Sequence, residues 1–216
     1  MKEADDLDML PAVQRRSREM AERLLNAGER VFSERGFRGA KLSDIAEAAD
    51  CSVGAVYSRF KDKEALFLAI LKRFAAQARQ QVAGYLSAAA TEKVPTGEIL
   101  RNFVIGTGHT FRRHYGLFRA IVEHGLDDPT SAAVIVRLRE ENEAELVRFL
   151  SARLPGTRPE LGLRVRVALQ MLNGYLFLGL LNRQAPVPIA NEQGLDELAA
   201  ALIATLGIPA EDIDVG

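Results

Sequence analysis

Apolar residues recur every three or four positions along most of this chain, a spacing that gathers them on one face of an α-helix. Few runs alternate apolar and polar residues in the manner of β-strands. Proline and glycine interrupt the helical pattern near residues 95–97 and 155–159, and Pro129 interrupts it between them. The pattern therefore predicts an all-α chain whose helices are joined by short turns.

Two short helices joined by a tight turn are predicted in the first third of the chain. The first, Leu42 to Ala49, has apolar residues on one side and charged residues on the other. The turn is Asp50-Cys51-Ser52, in which Asp50 tolerates a left-handed backbone and Ser52 is a favourable N-cap. The second helix is predicted from about Val53 to Phe60.

This arrangement is typical of a DNA-binding helix-turn-helix, whose second helix enters the major groove. Gly54 and Ala55 are small, so the backbone can approach base edges, and Tyr57 and Arg59 can reach phosphates. A plain structural corner is the alternative for any short helix pair. The residues expected to contact a double-stranded DNA operator are Arg38, Lys41, Ser43, Ser52, Val53, Gly54, Ala55, Tyr57, Arg59, Lys61 and Lys63.

Residues 20–67 resemble the DNA-binding domain of the TetR family of bacterial transcriptional repressors. The segments that carry the resemblance are Leu24-Leu25-Asn26-Ala27-Gly28, Val31-Phe32, Gly36-Phe37, Asp44-Ile45-Ala46, Ala49, Cys51-Ser52, Gly54, Tyr57, Phe60 and Lys63-Glu64-Ala65-Leu66. The chain departs from the family pattern where Asp50 replaces a common Gly, Lys41 a common Thr or Ser, and Arg59 a common His. These departures preserve the expected fold and leave the operator sequence unassigned.

The resemblance implies a homodimeric repressor that holds a palindromic operator and releases it when a small-molecule effector binds. We accordingly expect a helix-turn-helix DNA-binding domain over residues 15–62 and a larger helical ligand-binding and dimerisation domain over residues 63–216. Residues 1–14 are expected to form a disordered tail, because the first ten residues are acidic.

The charge distribution fits a DNA-binding N-terminal domain. Residues 11–80 hold 14 Lys and Arg against 9 Asp and Glu, whereas residues 81–216 hold 13 against 16. A basic module on an acidic body is the expected footprint of nucleic-acid binding. Two interpretations remain open for Arg15, Arg16 and Arg18, which either contact phosphates or the minor groove or only solubilise the start of the first helix.

The segment Val167 to Leu181 is apolar on nearly every side, so a helix formed here must be covered on every side. We expect one face to pack on its own domain and the other to pack on a second copy, together with a final helix from about Leu195 to Leu206. A monomer with this helix at its centre is the alternative. The residues assigned to the dimer interface are Leu169, Leu172, Leu176, Leu180, Leu198 and Leu202.

The resemblance also implies an effector site in the C-terminal domain. Aromatic and soft side chains on the helices that should surround a central cavity are the candidates, and they indicate an apolar or aromatic ligand. Each candidate also suits an ordinary hydrophobic core. The candidate residues are Phe103, His109, Phe111, Tyr115, Phe118, Met171 and Tyr175.

No enzyme motif has positional support, so neither catalysis nor a cofactor is expected. His109, His114 and His124 lack the four-residue spacing of helical metal ligands, so no metal site is predicted. A single cysteine and the absence of a basic leader favour the cytoplasm, and the longest apolar stretch is too short to span a membrane. The alternative function is a helical small-molecule-binding enzyme or scaffold without sequence-specific DNA binding.

Overall fold

The computed structural model describes residues 4–91, 94–154, 159–181 and 192–208, with side chains for residues 14–87, 94–154, 159–179 and 192–208. Within these ranges the secondary structure is helical and contains no strand, so the all-α prediction is confirmed. The helices are α1 (Ala4–Gly39), α2 (Leu42–Ala48), α3 (Val53–Tyr57), α4 (Lys63–Thr91), α5 (Thr96–Arg113), α6 (Tyr115–Ala120) with a π-helical turn (Ile121–Gly125), α7 (Pro129–Arg153), α8 (Leu161–Leu181) and α9 (Glu192–Leu206).

Helix α1 begins at Ala4, within the segment 1–14 that the sequence predicts as a disordered tail. The acidic residues that argue for a solvated tail also suit a helix N-terminus, because carboxylates there interact favourably with the helix dipole. Near its other end the helix is broken at Gly36, where φ is 69° and ψ is 174°. We call α1–α3 the head and α4–α9 the body.

The core of the head joins its three helices to the start of α4. Phe32 of α1, Ile45 of α2 and Val56 of α3 are fully buried, and Phe67 of α4 packs edge-on against Phe32 with ring centroids 5.8 Å apart. Val56 is the one residue of α3 that is buried. Helix α3 is therefore anchored by a single buried side chain, and its other positions are half-buried or exposed.

Helix α3 ends at Tyr57, three residues before the predicted end at Phe60. The amide groups of Arg59 and Phe60 both donate to the carbonyl of Val56, at 3.0 and 2.9 Å, so the last turn tightens and closes. The Ser58 hydroxyl also donates to the carbonyl of Ala55 at 2.8 Å. These bonds satisfy carbonyls that an ending helix would otherwise expose.

The body is a bundle in which α4 packs along α7 and α9 packs on both α5 and α8. Helix α1 also crosses α6, so the head and the body are joined along two helices, α4 and α6. The crossing of α1 and α6 is close: a Cβ atom added at Gly116 would lie 2.0 Å from the Cα atom of Ser33. Only glycine fits at that position.

Aromatic side chains fill the middle of the body. Phe111 of α5 and Phe118 of α6 are stacked with ring centroids 3.9 Å apart. Phe177 of α8 meets both rings edge-on, at 5.2 and 5.4 Å, and Phe74 of α4 meets Phe118 edge-on at 5.3 Å. Four helices therefore converge on one aromatic cluster. Of the helices in the described ranges, none combines the length and apolarity needed to cross a bilayer.

Candidate nucleic-acid interface

The turn between α2 and α3 has the geometry that its sequence predicts. Asp50 adopts a left-handed conformation with φ of 51°, and it is the only described residue other than glycine with positive φ. The Ser52 hydroxyl accepts the amide of Ala55 at 3.2 Å and so caps α3. Both sequence predictions about this turn are confirmed. The turn fixes the angle at which α3 leaves the head.

The outer face of α3 is exposed, and at Gly54 it has no side chain. Tyr57 has 56% of its surface exposed and Val53 has 40%, while Ala55 is half-buried. Gly54 is exposed, and the nearest atom to a Cβ built there would be the Ser52 hydroxyl oxygen at 3.8 Å. The protein itself therefore does not require glycine at this position. A surface with no side chain allows the backbone of α3 to approach a base edge closely.

Polar contacts from α1 hold α2 behind the recognition helix. Arg30 donates to the carbonyl of Ala48 at 2.7 Å, which closes the C-terminal end of α2. Arg35 forms an ion pair with Asp44 at 2.7 Å, and the same carboxylate accepts the amide of Lys41 at 3.1 Å. The Asp44 contact satisfies an amide at the start of α2, where Lys41 has no side-chain hydroxyl to act as a cap.

The polar residues predicted to contact DNA differ in their contacts within the protein. Arg38, Lys41, Ser43 and Lys61 are exposed on the head. Arg59 is also exposed, but its guanidinium donates to the hydroxyl of Ser17 on α1 at 3.3 Å. That bond joins the segment that follows α3 to α1 at Ser17.

Lys63 has a structural role that the sequence prediction did not include. Its ammonium donates to the carbonyls of Phe37 at 2.8 Å and Ala40 at 3.2 Å, and it lies 4.5 Å from the centre of the Phe37 ring. The sequence shows the positive charge but not the two unpaired carbonyls at the end of α1 that attract it. The Lys63 side chain therefore links the C-terminal end of α1 to the start of α4.

A junction that the sequence analysis missed connects the end of α1 to the π-helical turn. The carboxylate of Glu123 accepts the amide of Phe37 at 2.8 Å and the guanidinium of Arg119 at 2.8 Å. The ring of His124 stacks on the ring of Phe37. A Cβ atom added at Gly36 would lie 2.6 Å from the Glu123 carboxylate. The signal available in the sequence was the Gly36-Phe37 pair, which marks a break in a helix.

A second polar contact joins the head to the body. His114, between α5 and α6, bonds to the carboxylate of Glu29 on α1. Arg73 of α4 donates to the same carboxylate at 3.1 Å and to Glu22 at 2.9 Å. Burial alone would raise the pKa of Glu29, but its bonds to His114 and Arg73 and their positive charges lower that pKa below its ordinary value of 4.5.

The residues predicted to bind an effector differ in burial. Phe103, Phe111 and Phe118 are buried, Tyr115 and Tyr175 are half-buried, and burial raises the pKa of Tyr175. His109 and Met171 are exposed. A cavity of about 400 Å³ lies elsewhere in the body, lined by Pro159, Glu160, Leu161, Arg164, Leu206 and Gly207.

The residues predicted to form the dimer interface lie mostly inside the protomer. Leu169, Leu172, Leu176 and Leu202 are buried, Leu198 is half-buried, and the side chain of Leu180 lies outside the described residues. The apolar residues of α8 that remain exposed are Leu163, Val167, Met171 and Leu178. A helix that is apolar all round gives no sequence signal of which face is turned inward, and the sequence prediction chose the inward face.

Known proteins resemble this chain both in sequence and in fold. Residues 24–70 match the family described as bacterial regulatory proteins, tetR family. The HTH-type transcriptional repressor AcnR of Corynebacterium efficiens is 39% identical over 59 residues, which are 27% of this chain and 31% of that protein. The chain thus matches about a third of the length of this curated relative.

Solved structures extend the likeness to the body. A putative TetR-family transcriptional regulator from Mesorhizobium loti superposes with a TM-score of 0.70 at 20% identity, covering 88% of this chain and 97% of that one. FadR from Bacillus subtilis, solved in complex with stearoyl-CoA, superposes with a TM-score of 0.61 at 20% identity, covering 84% and 98%. At this identity the likeness shows the shared fold. Residues 24–70 therefore resemble the tetR family of bacterial regulatory proteins in sequence, and the described chain shares the fold of solved TetR-family regulators.

Proposed function

We propose that this chain is a ligand-responsive transcriptional repressor that acts in the cytoplasm and binds a palindromic operator as a homodimer. The observation that carries the proposal is the exposed face of α3, where Gly54 lies between Val53 and Tyr57 behind a fixed turn. The packing of the described residues of the head does not require a residue without a side chain at Gly54. A groove-reading helix does account for that bare surface, because a position without a side chain lets the backbone of the helix come close to base edges.

The exposed residues of the head are proposed to make two kinds of contact with DNA, to base edges and to phosphates. Val53, Gly54 and Ala55 lie at the start of α3, the end that reaches base edges in a helix-turn-helix. Tyr57 and the exposed cations Arg38, Lys41 and Lys61 suit phosphates on either side of the groove. Lys63 is left out of this set because its ammonium is bound to two carbonyls of the head.

The dimer is proposed to form through α8 and α9. The exposed stripe Leu163, Val167, Met171 and Leu178 follows helical spacing and lies on one side of α8, with Leu163 and Leu178 both 62% exposed. Exposed α9 positions on the same bundle carry small residues, including Ala200, Ala201 and Ala204. A second copy would cover the stripe, and two heads would then face one side of the DNA.

The effector is proposed to be an apolar or aromatic molecule that enters the aromatic cluster of the body. Phe111 and Phe118 are stacked on adjacent helices, and α6 continues directly into the turn that holds Phe37. A ligand that separates these two rings would shift α6 and the junction with the head. It would release DNA by favouring the state in which the two heads no longer match adjacent grooves. The stearoyl-CoA with which the Bacillus subtilis neighbour was solved carries a long apolar acyl chain on a charged coenzyme A group.

The proposal is tested by selecting duplexes from a random library with the full chain and measuring affinity by fluorescence anisotropy. We expect binding to the selected duplex to exceed binding to a scrambled duplex by about a thousandfold or more at fixed salt. Binding that is sensitive to salt but indifferent to sequence would overturn the repressor proposal. Stearoyl-CoA and 2-naphthoate are then titrated into the complex, and we expect at least one to release the DNA.

A further inference from the structure

We infer that the contact between His114 and Glu29 is a pH-sensitive link between the body and the head, which binds α1 more strongly in acid than in alkali. The inference rests on the proposed DNA-binding function and adds a regulation to it. The link consists of an imidazole at the corner between α5 and α6, a carboxylate on α1 and the guanidinium of Arg73 on α4. The operator affinity should therefore depend on pH through one histidine.

The corner between α5 and α6 fixes the position of His114. Its amide donates to the carbonyl of Thr110 at 3.0 Å, and its carbonyl accepts the amide of Phe118 at 3.1 Å, so this residue ends α5 and begins α6. The ring of Phe74 on α4 packs edge-on against the imidazole, with ring centroids 5.2 Å apart. The imidazole is thereby held against α1, where its Nδ1 atom bonds to the carboxylate of Glu29.

The Glu29 carboxylate is bonded on both of its oxygens. One oxygen bonds to His114, and the other accepts the guanidinium of Arg73 at 3.1 Å. Burial would raise the pKa of Glu29, but its bonds to His114 and Arg73 and their positive charges lower that pKa below 4.5, so the carboxylate is ionised near neutral pH. The side chains of His114 and Glu29 are 19% and 23% exposed, so water screens their charges less than those of a surface pair. The strength of the contact therefore depends on the charge of the imidazole.

The imidazole is the part of this contact that changes its charge near neutral pH. Histidine is the side chain that exchanges its proton between about pH 5 and pH 8. His114 forms an ion pair with Glu29 only when its ring is protonated. The neutral ring offers at most a hydrogen bond, and charge assistance roughly doubles the strength of such a bond. Raising the pH therefore weakens the bond between the body and α1.

The charged groups near His114 come from three helices. On α1, Glu29 attracts the charged ring, and Glu22 forms an ion pair with Arg73 at 2.9 Å. On α4, Arg73 repels the charged ring, but it binds the other oxygen of the carboxylate, whereas Glu29 bonds to the ring directly. The exposed arginines that precede His114 on α5 are Arg112 and Arg113. The pH response of the link therefore requires the charge of Glu29.

A stronger link should raise the operator affinity. The operator is proposed to bind two heads at one separation, and a head that pivots on its body loses that freedom when it binds. A body that already holds α1 reduces this loss. The operator affinity should therefore be higher at about pH 6 than at about pH 8.

The experiment measures the affinity of the full chain for its selected duplex at about pH 6 and about pH 8, at one ionic strength. His114→Asn is the test variant, because the asparagine amide can donate a hydrogen bond but carries no charge. His109→Asn, an exposed change on α5, is the matched control. We expect the affinity of the wild type and of the control to fall at least about threefold between the two pH values, because the charge assistance is lost. His114→Asn should lose most of this response.

Glu29→Gln is a second variant and should lose the response as well, because it removes the charge that the protonated ring binds. The full response of the wild type in either His114→Asn or Glu29→Gln would overturn the inference, and so would an equal loss of response in His109→Asn. A wild-type affinity that stays constant or rises between about pH 6 and about pH 8 would also overturn it. Failure of the proposed function gives a different result, since the wild type would then fail to prefer its selected duplex at either pH.

Discussion

The ring of His124 lies flat against the ring of Phe37, with centroids 3.9 Å apart and planes 2° from parallel. Phe37 follows the break in α1, and His124 lies in the π-helical turn that ends α6. The Glu123 carboxylate next to it accepts the Phe37 amide. Two consecutive body residues therefore hold one head residue by its ring and its backbone. A movement of α6 would therefore reach the end of α1 through this contact, as well as through the crossing of α1 and α6 at Gly116.

Removing the Glu123 carboxylate should destabilise the folded protein by about 1–3 kcal/mol, because Glu123→Ala leaves the part-buried Phe37 amide without its acceptor. Glu123→Gln keeps an acceptor oxygen at the same position and is the matched control, with an expected cost below about 1 kcal/mol. Urea unfolding provides both free energies. Equal destabilisation in the two variants would show that the amide bond does not carry the effect.

Gly36 should tolerate no side chain. Its φ of 69° disfavours L-residues, and a Cβ atom would lie 2.6 Å from the Glu123 carboxylate. Gly36→Ala is expected to lower the unfolding free energy by about 1–3 kcal/mol. Gly39→Ala, three residues away, would meet only the Cβ atom of Arg35 at 3.6 Å and should leave stability unchanged or slightly raised. An unaffected Gly36→Ala variant would contradict the described junction.

Stability should fall in acid through Glu29. Its pKa is lowered in the folded protein, so its ionised form adds stability that is fully present above the ordinary carboxyl value of 4.5. That stability is lost as the pH falls through the folded-state pKa, below 4.5. Glu29→Gln should therefore be less stable near pH 6 and show a flatter decline between about pH 5 and pH 3.

The control for that measurement is Glu34→Gln, an exposed change on the same helix. Unfolding midpoints are recorded across the pH series for both variants and the wild type. Glu34→Gln should keep the steep acid decline of the wild type. A Glu29→Gln variant that declines as steeply as the wild type would show that the contacts with His114 and Arg73 do not stabilise the carboxylate.

The exposed face of α8 should control the oligomeric state. Leu178→Glu places a charge in the apolar stripe that a second copy is proposed to cover, and it should give a monomer by light scattering at micromolar concentration. Val136→Glu changes an exposed apolar residue on α7, outside the proposed interface, and should remain a dimer. A dimer in both variants would place the interface elsewhere.

The sequence predicts local structure well where one residue type has one physical role. Asp50 and Ser52 illustrate this, since a left-handed turn position and an N-cap each select few residue types. Contacts between distant segments are different, because their signal is not local. The charge of Lys63 gives no indication that the carbonyls of Phe37 and Ala40 are its partners.

Helix α8 shows a second limit of sequence analysis. A helix that is apolar on every side has no polar stripe from which its orientation can be read, so the buried Leu172 and the exposed Leu178 look equivalent in the sequence. The Glu123–Phe37 contact spans 86 residues and depends on the packing of α1 against α6. Such contacts follow from the assembled fold, and the periodicity of either segment does not predict them.

The central claim, that the bare face of α3 reads DNA, is tested most directly by the operator affinity of Gly54→Ala relative to the wild type. A Cβ atom at this position meets nothing closer than 3.8 Å in the protein, and alanine is favoured over glycine in a helix by about 1 kcal/mol. We predict that the variant folds at least as stably as the wild type and loses at least about tenfold in affinity for the selected duplex, or roughly 1.4 kcal/mol. A stable variant that binds the selected duplex as tightly as the wild type would contradict the claim.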